Sequence, residues 1–281
     1  MNLKVIAYVL SRLQFFVTFS MGVPFVMALL WGEDCAMDFA GTILVSLGVS
    51  VYFYNNGRLE HENLTLREGI AITGIAWFLI PVVSALPFLA SHQLNLVDSL
   101  FESFSGLTCT GGSVISDLDV VPRSLILWRG VTHWVGGLGI VVLFIALFPQ
   151  PGSGAARMFN AEGAGPSESR VVPRIKETAN ALLIMYVAFS LVLLTLLLLC
   201  GLSLFDAVNL AMSAVATGGF ATTNGSAGDF NSLPVEIVLI IFMLIGGGNF
   251  GLYFMGWKKG YRHILKDTEF RVYILMFLIV T

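Results

Sequence analysis

The chain has 281 residues, of which 56% are hydrophobic and only 12% charged, with a formal net charge of −3 and a mean hydropathy of +0.84. So few charges cannot cover that much apolar side chain in water, which excludes a soluble globular domain and points to an integral membrane protein. The net charge carries little by itself; the sidedness of the charges carries more.

Uncharged windows run from Leu13 to Gly32, Phe39 to Gly57, Gly69 to Val97, Gly130 to Ala156, Thr178 to Phe205 and Ile237 to Trp257. Each is long enough, or nearly so, to cross a hydrocarbon core of about 30 Å as a helix of roughly 20 residues. Residues 1–56 read as an N-terminal transmembrane helical pair. Its first apolar run is too long for a signal-peptide core, and no small-x-small site precedes Glu33-Asp34, so no cleavage is expected. Residues 57–152 read as helix, re-entrant loop, helix: a rise through Ile70–Ala90, a dip at 98–116 and a return through Ser124–Phe148. Residues 153–177 read as a cytoplasmic linker within a Gly/Pro/Ser-rich stretch. Residues 178–257 repeat the unit, rising through Ala179–Gly201, dipping at 205–225 and returning through Val235–Gly256. Residues 258–281 read as the start of a third repeat. The fold class expected is an all-α integral membrane protein of parallel helix–re-entrant pore loop (P-loop)–helix repeats behind a transmembrane hairpin.

Orientation follows from the basic residues. With the N-terminus inside and both dips returning on the side they left, the cytoplasmic parts hold 13 of the 15 Lys and Arg, all but Arg123 and Arg129. The outer side then holds mostly acids: Glu33, Asp34, Asp38, Asp98, Glu102, Asp117, Asp119, Asp206 and Asp229. Positive charge inside is thereby met at every loop. A full crossing at 98–116 would move the basic 149–177 segment outside, so re-entrant loops fit better. Such backbone is tolerated only beside protein or a wet cavity, because bare N–H and C=O groups in lipid cost several kcal/mol each.

The two dips are copies. At a constant offset of 108 residues, Asp98 meets Asp206, Ser105 meets Ser213 and Gly111 meets Gly219 without a gap. Segments 98–107 and 206–215 fit short helices whose partially negative C-terminal ends can face a cation. Thr108, Cys109, Thr110 and Gly111 in one loop, and Ala216, Thr217, Gly218 and Gly219 in the other, fit short strands whose main-chain carbonyls could replace the water around an ion. No charged side chain lies in either tip. A Gly/Thr turn can equally be tight helix packing, but two tips at one offset, both required by the charges to re-enter, favour the ion path. Asp117, Asp119 and Asp229 are expected on the outside, drawing cations toward the mouth.

Gly136-Gly137-x-Gly139 and Gly246-Gly247-Gly248-Asn249-x-Gly251 follow the loops. A phosphate-binding turn needs a strand-to-helix junction in water, so these read as close packing or a bend in the returning helix, with Asn249 a structural polar group. Arg129 is an intramembrane charge and so a candidate functional group, although snorkelling to the outer interface with Arg123 is an equal reading. His133 reads as an interior hydrogen-bonded residue. Cys35, Cys109 and Cys200 have no metal-type spacing. No nucleophile–base pair, zinc set or carboxylate dyad is present, so the chain is not read as an enzyme.

Ser105–Gly111, Leu127-Trp128-Arg129 with Trp134–Gly139, Pro173-Arg174-Ile175 with Thr178-Ala179, and Thr217–Thr222 together resemble the membrane (pore) subunit of Trk/Ktr-type potassium uptake systems, TrkH-like. The resemblance covers essentially the whole chain. It implies four repeats around a pseudo-fourfold axis, K⁺ as the transported ion with Na⁺ less favoured, no covalent cofactor and no nucleic-acid partner. It also implies a homodimer, a cytoplasmic nucleotide-binding regulatory subunit (TrkA-like), and a multi-pass place in the lipid bilayer of the bacterial inner membrane. Two repeats of the four are present, so the chain looks like the N-terminal half and is expected to be transport-inactive alone. Cys109 stands where the family usually has Thr, and Gly112 follows Gly111; the carbonyl chemistry survives both. Two other readings stay open: a non-conducting fragment or accessory that associates with a full-length subunit, and a solute carrier built from parallel repeats.

Overall fold

The computed structural model describes residues 1–58, 65–139 and 173–280. Residues 140–148 of the expected first returning helix, 149–156 of the Gly130–Ala156 window and most of the linker lie outside the described residues. Among those described, the secondary structure is helical. Four helices are long and apolar enough to cross a membrane, or five spans if one bent pair is counted as a single crossing.

Helices α1 (Leu3–Trp31) and α2 (Ala36–Asn56) form the N-terminal hairpin. Asn2 caps α1 by accepting the Lys4 N–H, and Gly32 ends it at φ +67°, a left-handed conformation that glycine takes without steric cost. The seam between the helices is polar. Gln14 Nε2 donates to Ser46 Oγ at 2.9 Å, and Thr18 also hydrogen-bonds Ser46. In lipid, such interhelical hydrogen bonds and small contacts stand in for hydrophobic drive.

Helix α3 (Leu66–Ser84) opens with a capping box between Thr65 and Glu68, and the second Glu68 oxygen accepts the Asn2 N–H at 2.7 Å. The start of the first repeat is thus tied to the start of the hairpin. Pro81 interrupts the helical ladder near its end, and α4 (Leu86–Ala90), with Pro87 in its first turn, follows after a break. Side chains from further along the chain reach that end: Trp128 Nε1 donates to Ser84 O at 2.9 Å, and Ser103 Oγ to Pro81 O at 2.7 Å.

Helix α5 (Leu96–Leu107) and, after α6 (Arg123–Gly137) and α7 (Pro173–Leu199), helix α8 (Leu204–Val215) are each 12 residues long. At 1.5 Å per residue each spans about 18 Å, too short to cross a bilayer. Both are capped alike. Asn95 accepts the Asp98 N–H and donates back to its carboxylate at 2.6 Å; Ser203 does the same with Asp206 at 2.6 Å.

The N-terminal N–H groups of α6 are received from another part of the fold. Arg123 N and Ser124 N donate to the Glu33 carboxylate at 2.8 and 3.1 Å, so this acid from the α1–α2 turn caps the returning helix. In the second repeat a 3₁₀ turn (Ser226–Phe230) leads to α9 (Leu233–Gly246), which meets α10 (Phe250–Lys259) at 91°. The returning helix therefore does not run straight through to Gly256; it breaks at the glycine run, where Asn249 caps α10. The short α11 (Arg262–Lys266) and α12 (Thr268–Val280) complete the described chain. Tyr273 donates to Leu244 O at 3.0 Å, and Asn249 Nδ2 to Glu269 at 3.2 Å, which pins the bend to α12.

Candidate functional site

The two loops repeat in backbone conformation, residue for residue. Cys109 and Thr217 both have φ +53°, while Gly111 and Gly219 have φ +76° and +97°. The Cys109 and Thr110 N–H groups bond to Gly106 O and Ser105 O at 3.1 and 3.0 Å; Thr217 and Gly218 bond to Ala214 O and Ser213 O at 3.0 and 2.9 Å. This is a left-handed helix cap made twice. Thr108, Cys109, Ala216 and Thr217 therefore close the ends of α5 and α8, and the non-helical loop begins at Thr110 and Gly218, two residues later than the sequence suggests. Each short helix thus turns its partially negative end toward the loop that follows.

The two loop segments meet. A Cβ on Gly111 would overlap the Gly218 carbonyl oxygen and lie 3.4 Å from Gly219 Cα. Thr108, Thr110, Thr217 and Gly219 are exposed, whereas Ala216 and Gly218 are buried. Cys109 turns away from that exposed side and places Sγ 3.4 Å from His133 O on α6. Its side chain therefore points at protein, and replacing threonine by cysteine there leaves the main chain free.

Helix α6 backs both loops. A Cβ on Gly136 would overlap Leu107 O, one on Gly137 would stand 2.6 Å from Ala216 Cβ, and one on Gly218 would overlap the His133 ring. Gly246 plays the matching part in the second repeat, where a Cβ would stand 2.5 Å from Val215 O. The glycine runs are thus packing surfaces for the ends of the short helices.

Helix α5 turns its polar face inward. Ser99, Glu102 and Ser103 are at most 1% exposed, while Val97 and Phe101 are 72% and 48% exposed. Glu102, expected among the outer acids, is fully buried and bonded to Arg129 at 2.6 Å. Arg129 is 2% exposed, so it pairs inside the protein and does not snorkel. Glu102 also accepts Ser113 Oγ at 3.0 Å and the Val114 N–H at 3.1 Å. Arg129 donates to Ser113 Oγ at 3.1 Å and Ala221 O at 3.2 Å, and its guanidinium lies 4.1 Å from the Phe220 ring centre. His133, one turn along, meets the same ring at 4.0 Å. Among the described residues neither His133 ring nitrogen has a hydrogen-bond partner. The second loop is tied to its own helix by Thr222 Oγ1 donating to Asp206 at 2.6 Å.

Above the loops, Asn224 joins the two repeats. It accepts the Leu118 N–H at 2.7 Å and donates to Asp117 at 3.0 Å. Asp117 is held below its ordinary value of 3.8, first by the Asn224 amide and then by the Asp119 N–H. Asp229 accepts the Gly225 N–H at 2.6 Å and closes its own turn. Among the described residues no three His, Cys, Asp or Glu side chains gather into a metal site.

These features define a membrane protein built from repeats in which a short, capped helix ends on a loop that meets its copy. A model of the cation transport protein family TrkH matches residues 38–280, and the chain belongs to that family. It is 34% identical over 278 residues to the Trk system potassium uptake protein TrkH of Escherichia coli K12, covering 98% of this chain and 58% of the relative. The TrkH of Vibrio parahaemolyticus is 35% identical over 284 residues, again with 98% and 58% covered. The crystal structure of the potassium transporter TrkH from Vibrio parahaemolyticus superposes with a TM-score of 0.87 at 30% identity, over 99% of this chain and 57% of that one. The chain thus spans a little over half the length of these relatives. Its family is one of transport proteins and not of enzymes.

Proposed function

We propose that this chain forms part of a potassium uptake pore in the bacterial inner membrane, with its N-terminus in the cytoplasm. Segments 108–111 and 216–219 dip into the membrane from outside and coordinate the ion through main-chain carbonyls, with K⁺ preferred over Na⁺. The observation that carries this reading is the duplicated loop: left-handed residues at 109 and 111 and again at 217 and 219, with the two copies in contact at Gly111 and Gly218. Carbonyl rings need several such segments converging on one axis, each with the negative end of a short helix behind it. Likeness to the Trk system potassium uptake proteins supports the choice of ion. A homodimer and a nucleotide-binding TrkA-like regulatory subunit belong to the same proposal.

The test is selectivity of uptake in cells lacking their own potassium systems and expressing the intact gene. Gly111→Ser and Gly219→Ser should each lower the K⁺/Na⁺ uptake ratio, because a side chain at Gly111 displaces the Gly218 carbonyl and one at Gly219 strains a left-handed turn. Unchanged ratios in both would remove these loops from the ion path. Cysteines placed at Asp117 and Asp229 should react with impermeant reagents from outside; labelling only from the cytoplasm would reverse the topology.

A further inference from the structure

The buried ion pair of the first repeat has no counterpart in the second. With the short helices in register at an offset of 108, Glu102 falls on Leu210; with the returning helices in register from Arg123 and Leu233, Arg129 falls on Leu239. Leu210 and Leu239 are 5% and 6% exposed, so the same two positions are buried in both repeats. Two leucines therefore serve where stability alone is required. Moving two charges out of water costs several kcal/mol per ion, and apolar replacement of such pairs is often neutral or stabilising. Packing does not account for the pair.

What leucines cannot supply is directed hydrogen bonding to main chain. Here the Glu102 carboxylate holds Ser113 Oγ and the Val114 N–H of the first loop segment. Arg129, fixed by Glu102 at 2.6 Å, spends its two terminal nitrogens on Ser113 of that segment and on Ala221 O of the other, and lies against Phe220. The planar fork of a guanidinium is suited to hold three partners at fixed angles, which an ammonium is not. A single buried pair thus fastens the outer ends of both segments, just beyond Gly111 and Gly219, without reaching solvent itself.

We propose that Glu102 and Arg129 are positioning residues that set the spacing between the two ion-coordinating segments, and thereby the preference among monovalent cations. This rests on the reading of 108–111 and 216–219 as coordinating segments. Selectivity in a carbonyl filter depends on how many dipoles reach the ion and from what distance. A brace joining adjacent segments from behind governs that distance while making no contact with the ion.

The experiment uses the intact gene in cells without other potassium uptake, with membrane protein level, K⁺ uptake and Na⁺ uptake measured in parallel. The informative variant is the double Glu102→Leu/Arg129→Leu, which installs the second repeat's own solution. It should reach the membrane at near wild-type level, yet lose K⁺/Na⁺ preference by about tenfold, the equivalent of one charged hydrogen bond. Arg129→Lys, which keeps the charge but not the fork, and Ser113→Ala, which removes one hydroxyl, should each lower the ratio less. A ratio within about twofold of wild type in the double variant, with normal protein level, overturns the brace. So does a fall in K⁺ and Na⁺ uptake in proportion to protein level, which is what a purely structural pair would give. Should the double variant not reach the membrane, Arg129→Lys and Ser113→Ala decide: a lowered ratio in either supports the brace, and unchanged ratios in both overturn it. Gly111→Ser and Gly219→Ser, run alongside, separate the two ideas. If they shift the ratio and the brace variants do not, only the brace falls; if they too leave it unchanged, or if the wild type takes up no K⁺, the coordinating segments themselves were misread and the brace falls with them.

Discussion

Gly111 and Gly219 occupy the same place in their repeats, yet alanine should not cost the same at each. Both have positive φ, +76° and +97°, so either substitution forces an L-residue into a left-handed conformation. That strain is about 1–2 kcal/mol. The surroundings differ. A Cβ on Gly219 meets only Gly111 Cα at 3.9 Å, ordinary contact, whereas one on Gly111 overlaps the main-chain oxygen of Gly218. A carbonyl held in a packed segment cannot rotate away as a side chain would, and forcing an extra methyl into a filled space adds about 1–3 kcal/mol. Gly111→Ala should therefore destabilise by about 2–5 kcal/mol, against about 1–2 kcal/mol for Gly219→Ala. Thermal unfolding of the purified protein in detergent measures the order, with Gly41→Ala as control because nothing lies within 4 Å of its Cβ. Equal losses, or a larger loss at Gly219, would refute the contact between the two loops on which the ion path depends.

Three further outcomes follow from the packing. Gly218→Ala should destabilise through overlap with the buried His133 ring, and His133→Ala should recover part of the loss; a double-mutant cycle with no coupling would contradict that contact. Asn249→Ala removes the cap of α10, which accepts the Gly251 N–H at 2.9 Å, and the bond to Glu269 at 3.2 Å. It should cost about 1 kcal/mol and speed amide exchange at 250–253, with unchanged exchange as the contrary result. Asp117 has its folded pKa lowered, so the stability it lends the outer loop is present above its unfolded value and is lost as pH falls through the folded one. The bridge to Asn224 should thus be complete at neutral pH; Asn224→Ala should move the carboxyl titration upward, as carboxyl carbon NMR would show, and an unmoved titration would deny the bridge.

The order of elements could be read from the sequence because lipid leaves few choices. Apolar length, basic sidedness and a repeat at a fixed offset together require long helices around short ones, and Leu96–Leu107 and Leu204–Val215 fall at that offset. The glycine runs were also legible, since Gly136 and Gly246 can do little in a membrane other than bring two backbones together. Less was visible where the chain caps itself. Non-glycine residues at positive φ are uncommon, so Cys109 and Thr217 gave no sign that the helix cap would absorb two residues of each expected strand. Glu33 likewise gave no sign that its carboxylate would cap the start of a helix 90 residues away, at Arg123 and Ser124.

Glu102 was misplaced for a more general reason. Counting acids by side of the membrane treats every carboxylate as solvated, but one face of α5 packs against α3 and α6. Polar residues at 99, 102 and 103 share one face, and in water that face would be the outer one. Here it is the buried one, with Val97 and Phe101 turned outward. An inverted amphipathic helix of 12 residues is therefore itself a sign that polar main chain lies behind it, needing partners that only side chains can provide. In α5 that partner is Glu102, which accepts the Val114 N–H and the Ser113 hydroxyl and whose charge is met by Arg129. The second repeat meets the same need from Asp206 to Thr222 at the helix N-terminus, which leaves Leu210 free to be apolar. Two repeats that agree in backbone thus differ in how each loop is held, and each reaches across to the other: Arg129 of the first to Ala221, and Asn224 of the second to Leu118 and Asp117.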